Sequence, residues 1–209
     1  MAKRIEVRGV IVPSVYDTSE WLQKYVERGV ITPESRVRTA LKDHNDDTEL
    51  YINSQGGSVF AGLEIGNALR DWKAATGKGL TMTIGSMAAS AAANLITQVP
   101  ADKVRMHKNG KLMFHGASTV TEGGEGAHAD SKALLDQING DVKTALITKY
   151  HMNPEQVAGW FSEGRMGWLS AEQAKAAGLV DEIIGEDAKP VKYSKADISA
   201  LGAKGIGIS

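Results

Sequence analysis

Ser90 and His115 are the residues of this 209-residue chain whose types and settings best suit covalent chemistry. Ser90 lies in the small-residue segment Met87-Ala88-Ala89-Ser90-Ala91-Ala92-Ala93-Asn94-Leu95-Ile96, so nothing bulky covers its hydroxyl. A serine hydroxyl is a weak nucleophile until a base takes its proton, and His115, after the apolar run Leu112-Met113-Phe114, is the natural base. Two turns share one logic of strand, glycine-bearing turn and helix: Asn53-Ser54-Gln55-Gly56-Gly57 and Gly85-Ser86-Met87-Ala88-Ala89-Ser90. Helix N-termini present unpaired N–H groups and a positive dipole end. Two such ends facing one point can hold an oxyanion, and glycine lets a substrate carbonyl approach the backbone closely. The same residue types have plainer readings. An alanine-rich helix with a serine often means tight packing, a strand-end histidine is often a surface or core residue, and a strand–Gly-Gly–helix unit also binds phosphates. The GxxxxGK[ST] spacing is absent, which disfavours a P-loop.

Composition removes other chemistries. There is no cysteine, hence no disulfide, thiol nucleophile or Cys-based metal site. The five histidines share no metal-ligand spacing, and no metal or other cofactor is expected. Net charge is -1, which gives no bulk electrostatic support for nucleic-acid binding. No 18-residue apolar run exists, and the opening Met-Ala-Lys-Arg-Ile-Glu-Val lacks the apolar stretch of a secretory signal, so a cytoplasmic protein off the membrane is the expectation.

The elements that must position these groups alternate between strand and helix, which argues an α/β fold. Strands are expected over residues 4–12, 49–53, 81–84, 103–106, 111–114 and 179–184. Asn109-Gly110 joins the fourth and fifth as a hairpin turn. Helices are expected over 14–30, from a Thr32 N-cap with Pro33 at its first position to Leu41, over 58–72, over 87–96, and from Ala129 to His151. Asn153 and Ser170 read as caps, the latter with Gln173 as a capping box, and Gly178 as a helix end. The domain is expected to span residues 1–185, with a weakly patterned tail over 186–209.

Four segments in order carry a resemblance. Tyr51-Ile52-Asn53-Ser54-Gln55-Gly56-Gly57 with Ala61-Gly62 is similar to the YINSPGG…AG segment of the Clp protease proteolytic subunit family, with Gln55 in place of Pro. Met87-Ala88-Ala89-Ser90-Ala91 resembles the family's nucleophile motif, with Ala91 and Ala92 replacing Met-Gly, and Leu112-Met113-Phe114-His115 resembles its base-bearing strand. Trp168-Leu169-Ser170-Ala171-Glu172-Gln173-Ala174 with Gly178-Leu179-Val180-Asp181 resembles the family's FLSAEEA…YGLVD ending. The resemblance implies a ClpP/crotonase-like fold of repeated strand–turn–helix units with a projecting handle helix. It implies a serine peptidase with Ser90 as nucleophile, His115 as general base, and the backbone N–H groups of Gly57 and Ala91 as oxyanion donors. The segment after Gly57 would wall the peptide groove.

One position departs from the pattern. The family's acidic third member lies two residues before the aromatic, where this chain has Met166. Glu163 is the nearest acid and is the expected third member if the loop is two residues longer. Asp141 is a weaker candidate, and a dyad with His115 held by a backbone carbonyl stays open. The run Glu163-Gly164-Arg165-Met166-Gly167-Trp168 is also similar to signal peptide peptidase (protease IV), whose Ser–Lys pair has no matching lysine here.

The expected function is ATP-independent serine endopeptidase cleavage of protein or peptide substrates. The N-terminal 50 residues match the family pattern poorly, and such divergent ClpP-like peptidases resemble the phage head-maturation type, for which an assembling capsid is the client; an ATPase is the other partner considered. A crotonase-like acyl-CoA enzyme and a catalytically decayed ring or scaffold protein are the competing readings. The long helix carries Leu134, Leu135, Ile138, Val142, Ala145 and Leu146 over more than one stripe, so a second subunit is expected to cover it, in a homo-oligomer of six- or seven-membered rings.

Overall fold

The computed structural model describes residues 2–162 and 164–185. The chain opens with β1 (Lys3–Val12), one turn of 3-10 helix (Ser14–Asp17), α1 (Glu20–Glu27), β2 (Ile31–Pro33) and α2 (Glu34–Leu41). It continues through β3 (Thr48–Gly57), α3 (Val59–Thr76), β4 (Leu80–Ala89), α4 (Ala91–Gln98), β5 (Lys103–His107) and β6 (Lys111–Phe114). It closes with α5 (Glu125–Thr148), α6 (Pro154–Trp160), β7 (Gly167–Ser170), α7 (Ala171–Ala176) and β8 (Glu182–Ile184). The α/β expectation holds. One sheet runs β2-β1-β3-β4-β5-β8, with β6 on β4 and β7 on β6. Every pairing is parallel except β6 with β7.

Strand β3 shows why these segments are strands. Thr48, Leu50, Ile52, Ser54 and Gly56 are buried in strict alternation, the period at which side chains face one side of a sheet. Leu50 and Ile52 are fully buried beneath α3 and α4, as are Val7 of β1 and Met82 and Ile84 of β4. Burying each of these side chains stabilises the fold by about 1.5–3 kcal/mol. On the other face, the Arg4 guanidinium lies 3.9 Å from the Tyr51 ring centre, a cation–π contact.

Four local expectations are corrected. The segments 103–106 and 111–114 are strands but not a hairpin. Strand β4 is ten residues long, and its first half pairs with β5 while Met87–Ala89 pairs with β6, both parallel. The turn at Asn109-Gly110 passes the chain along β4 rather than back on itself, and a Cβ at Gly110 would sit 2.7 Å from the Gly85 carbonyl oxygen. Helix α4 begins at Ala91, not Met87, because Met87–Ala89 complete β4. Thr32 is no N-cap: it lies in β2, Pro33 caps α2, and the Thr32 hydroxyl bonds the backbone of Arg8 instead. The expected 14–30 helix is divided between the 3-10 turn and α1, which buries none of its residues.

Helix α5 has 24 residues, roughly 36 Å at 1.5 Å per residue. It begins four residues before the expected Ala129. Among its residues only Val142 and Leu146 are buried, and Leu134 is exposed. Its N-terminal half therefore stands clear of the chain's own core. The Asn153 cap and the Ser170–Gln173 capping box form as expected. The expected tail, 186–209, lies outside the described residues.

Candidate active site

Backbone geometry builds the first half of the site. Strand β3 ends in two glycines with φ of +96° at Gly56 and +145° at Gly57, a region that L side chains rarely enter. Gly56 has no room for a side chain either. A Cβ there would lie 2.6 Å from the Ala89 carbonyl oxygen and 2.7 Å from Ser90 Cβ. The glycine end of β3 is thus the seat on which the turn from β4 to α4 rests.

Ser90 occupies that turn with φ +55° and ψ −127°. A non-glycine residue there carries backbone strain, of order 1–3 kcal/mol, which surrounding contacts must hold. They do so here: the Ser90 N–H donates to the Met113 carbonyl at 2.9 Å, and the Ser90 carbonyl accepts from Asn94 N–H at 3.1 Å. The strained turn lifts the hydroxyl away from the helix and makes Ala91 the first residue of α4, whose N–H has no intrahelical acceptor.

Strand β6 brings the second group. Ala89 is in register with Met113, so His115, two residues on, arrives beside Ser90, one residue on. His115 Nε2 lies 2.8 Å from Ser90 Oγ. Burial holds the His115 pKa below the ordinary histidine value of 6.5, because a half-buried ring resists taking a charge. Neutral imidazole is the form able to accept the Ser90 proton.

The remaining side of His115 carries no carboxylate among the described residues. Strand β7 runs antiparallel to β6 with Phe114 opposite Gly167, and His115 and Met166 are the next residues beyond that last pair. Met166 is 55% exposed and cannot accept the imidazole N–H as a carboxylate does. Asp141 is exposed on α5 and makes no hydrogen bond or ion pair with His115. Glu163 lies outside the described residues. The segment after the base is held instead from α5: Asn139 Oδ1 accepts the Ala117 N–H at 2.8 Å. Among the described residues no group of three or more His, Asp or Glu could hold a metal ion.

The structure brings Ser90, His115, Gly57 and Ala91 to the C-terminal edge of one parallel sheet, the edge where open α/β sheets bind ligands. Ser54 and Asn139 escaped the sequence reading as working residues. Ser54 stands in the quoted motif, but a buried hydroxyl bridging two strands has no sequence signal; Asn139 is one amide on a long helix.

The site and fold define the class as a serine–imidazole pair on a parallel α/β sheet, with glycine-strand and helix-start N–H groups beside it. The Clp protease family model matches residues 37–187, and the chain belongs to that family. It is 28% identical over 142 residues to an ATP-dependent Clp protease proteolytic subunit of Bacteroides thetaiotaomicron, covering 68% of this chain and 62% of that one. It is 32% identical over 146 residues to ATP-dependent Clp protease proteolytic subunit 3 of Streptomyces coelicolor, 68% of this chain and 63% of that one. A Streptococcus salivarius proteolytic subunit is 31% identical over 152 residues, 71% of its length. The chain therefore spans less than two thirds of the first two relatives.

Proposed function

We propose that the chain is a serine endopeptidase that cleaves peptide bonds through an acyl-enzyme on Ser90. The observation that carries this reading is the 2.8 Å contact between His115 Nε2 and Ser90 Oγ at a strained, glycine-backed turn. Ser90 Oγ attacks the scissile carbonyl carbon while His115 Nε2 takes the hydroxyl proton. The carbonyl π pair moves to oxygen, which the Gly57 and Ala91 N–H groups receive. The imidazolium then gives its proton to the leaving amine as the C–N bond breaks. Water, deprotonated by His115, releases the acyl group and restores Ser90. His115 acts in a dyad or with Glu163; Met166 supplies no acid. Hydrolysis draws on no nucleotide bound by this chain. The substrate is an extended protein segment lying along the edge that follows Gly57.

We further propose assembly into a homo-oligomer in which α5 is covered by another subunit. What supports this is its exposed N-terminal half, with Leu134 at 44% exposure. Light scattering coupled to size exclusion tests it: a mass near 22.3 kDa at micromolar concentration refutes assembly, and a multiple of six or seven supports it.

The activity is tested with a fluorophosphonate and mass spectrometry of the intact chain. Modification of Ser90 and no other serine is expected, with Ser90→Ala losing both label and, by about 10³-fold or more, peptide turnover. Wild-type turnover by Ser90→Ala would overturn the assignment of the nucleophile, and a wild-type chain that takes no label at Ser90 would favour the acyl-CoA alternative, whose enolate chemistry needs no nucleophile.

A further inference from the structure

Ser54 is 1% exposed and uses its hydroxyl in both directions. It donates to the Gly9 carbonyl at 2.6 Å and accepts the Gly56 N–H at 3.0 Å. A buried hydroxyl with donor and acceptor both engaged has one orientation, and it ties β1 to the glycine end of β3.

Both ends of this tie are fixed. At Gly9, β1 bulges: the register with β3 shifts between Arg8 and Val10, and Gly9 has φ +62°. The bulge is clamped from the far side. Thr32 Oγ1 donates to the Arg8 carbonyl at 2.7 Å and accepts the Arg8 N–H at 2.9 Å. The Val10 N–H donates to the Val30 carbonyl at 2.9 Å. Residues 30–32 precede the stretch matched by the family model. At the other end, a Cβ on Gly56 would meet Ser90 Cβ at 2.7 Å and Ala91 N at 3.0 Å. One hydroxyl therefore separates a clamped bulge from the turn that carries the nucleophile.

We propose that Ser54 is a positioning residue for the oxyanion hole, with Val30 and Thr32 acting through it. Oxyanion donors work only when their N–H groups lie about 2.7–3.1 Å from where the charge develops. Gly56 and Gly57 are the most freely rotating residues of the strand. Without the Ser54 hydroxyl the Gly56 N–H loses its acceptor, the 56–57 peptide can tilt, and the Gly57 N–H leaves its line to the oxygen. Ser54 touches no reacting atom. Its effect falls on the transition state, where the oxyanion exists, and not on ground-state binding. The inference rests on the peptidase reading.

The test compares wild type with Ser54→Ala by peptide kinetics and by the rate of fluorophosphonate labelling. The phosphonyl oxygen of the adduct occupies the same hole. Expected are a fall in kcat of about tenfold to a hundredfold, KM within about twofold, equally slowed labelling, and an unmoved acidic limb of the pH–rate profile. Unchanged kcat and labelling in folded Ser54→Ala overturn the proposal while leaving the peptidase reading intact. A wild-type chain that takes no label at Ser90 overturns the peptidase reading itself. If Ser54→Ala does not fold, Ser54→Cys carries the same comparison, with similar shape and a weak hydrogen-bonding group. Its kcat should fall at unchanged KM. Wild-type kcat, or a loss confined to KM, counts against the proposal.

Discussion

The nucleophile side and the base side of the site are built to different standards. Gly56, Ser54 and the strained Ser90 turn interlock at distances that leave no room for a methyl group. His115, by contrast, is held by its contact with Ser90, by the strand that delivers it, and by one amide from α5 to the backbone two residues on. The difference follows from what each side must do. Polarising a carbonyl needs backbone N–H groups in fixed places, which only backbone geometry supplies. Holding an imidazole needs a single acceptor, and many arrangements can provide it. The first half leaves no room for a methyl group at Gly56; the second keeps the Ser–His contact with Met166, not an acid, at the position two residues before Trp168.

The largest expected effect is on the loosely held side, because His115 is the base itself. His115→Ala should lower kcat by about 10³-fold or more, and adding Ser90→Ala should make it hardly worse, since the two act as a unit. Steady-state peptide kinetics of the single and double variants decide this. Multiplying losses would break the pairing.

On the tightly built side, Gly56→Ala should cost about 10²-fold in kcat. The new methyl would press on Ser90 Cβ and Ala89 O at a φ that alanine resists. Thermal unfolding should show a loss of about 1–3 kcal/mol beside it. Near-wild-type kcat would mean the interlock is not needed for activity.

Met166→Asp sharpens the comparison from the other side. An acid opposite His115 should stabilise its charged form and raise kcat/KM at pH 8 by about tenfold. The pH dependence carries the sign. In wild type the His115 pKa is lowered by burial, so the acidic limb should have its midpoint below 6.5. Met166→Asp should move that midpoint upward, because a carboxylate favours imidazolium. The same depression touches stability. As pH falls through 6.5 the unfolded chain takes a proton that the folded ring resists, so this contribution is complete above 6.5 and lost below it. A limb that stays put in Met166→Asp would place residue 166 out of reach of the ring.

The smallest effect is expected from Asn139→Ala. It removes one neutral hydrogen bond to the Ala117 N–H, worth about 1 kcal/mol. A fall of about threefold in kcat is expected, with Asn139→Asp, which keeps the acceptor, close to wild type. Equal loss in both variants would assign the effect to α5 packing rather than to the bond.

Ser90 and His115 as a candidate pair and the alternation of strand and helix were legible in the sequence, because they rest on residue type and short-range periodicity. So were the Asn153 and Ser170 caps, which are made within three residues. The Asn109-Gly110 turn misled for the same reason. Its local preference for a hairpin is outweighed by the long edge of β4, which pairs both flanking strands in parallel. Thr32 misled likewise, since its hydroxyl serves a backbone 24 residues away.

The sequence by itself determined that a serine, a histidine and two glycine-bearing segments would come in this order; both segments, expected as turns, run on as strand, to Gly57 in β3 and to Ala89 in β4. Only the tertiary structure decided that Ala89 pairs with Met113, and so that Ser90 and His115 meet. It also decided the positive φ of Ser90 and the pairing of Phe114 with Gly167 that ends beside His115 and Met166. These are set by sheet register and by contacts between residues tens of positions apart. No local preference encodes such sums; they exist only once the core has closed.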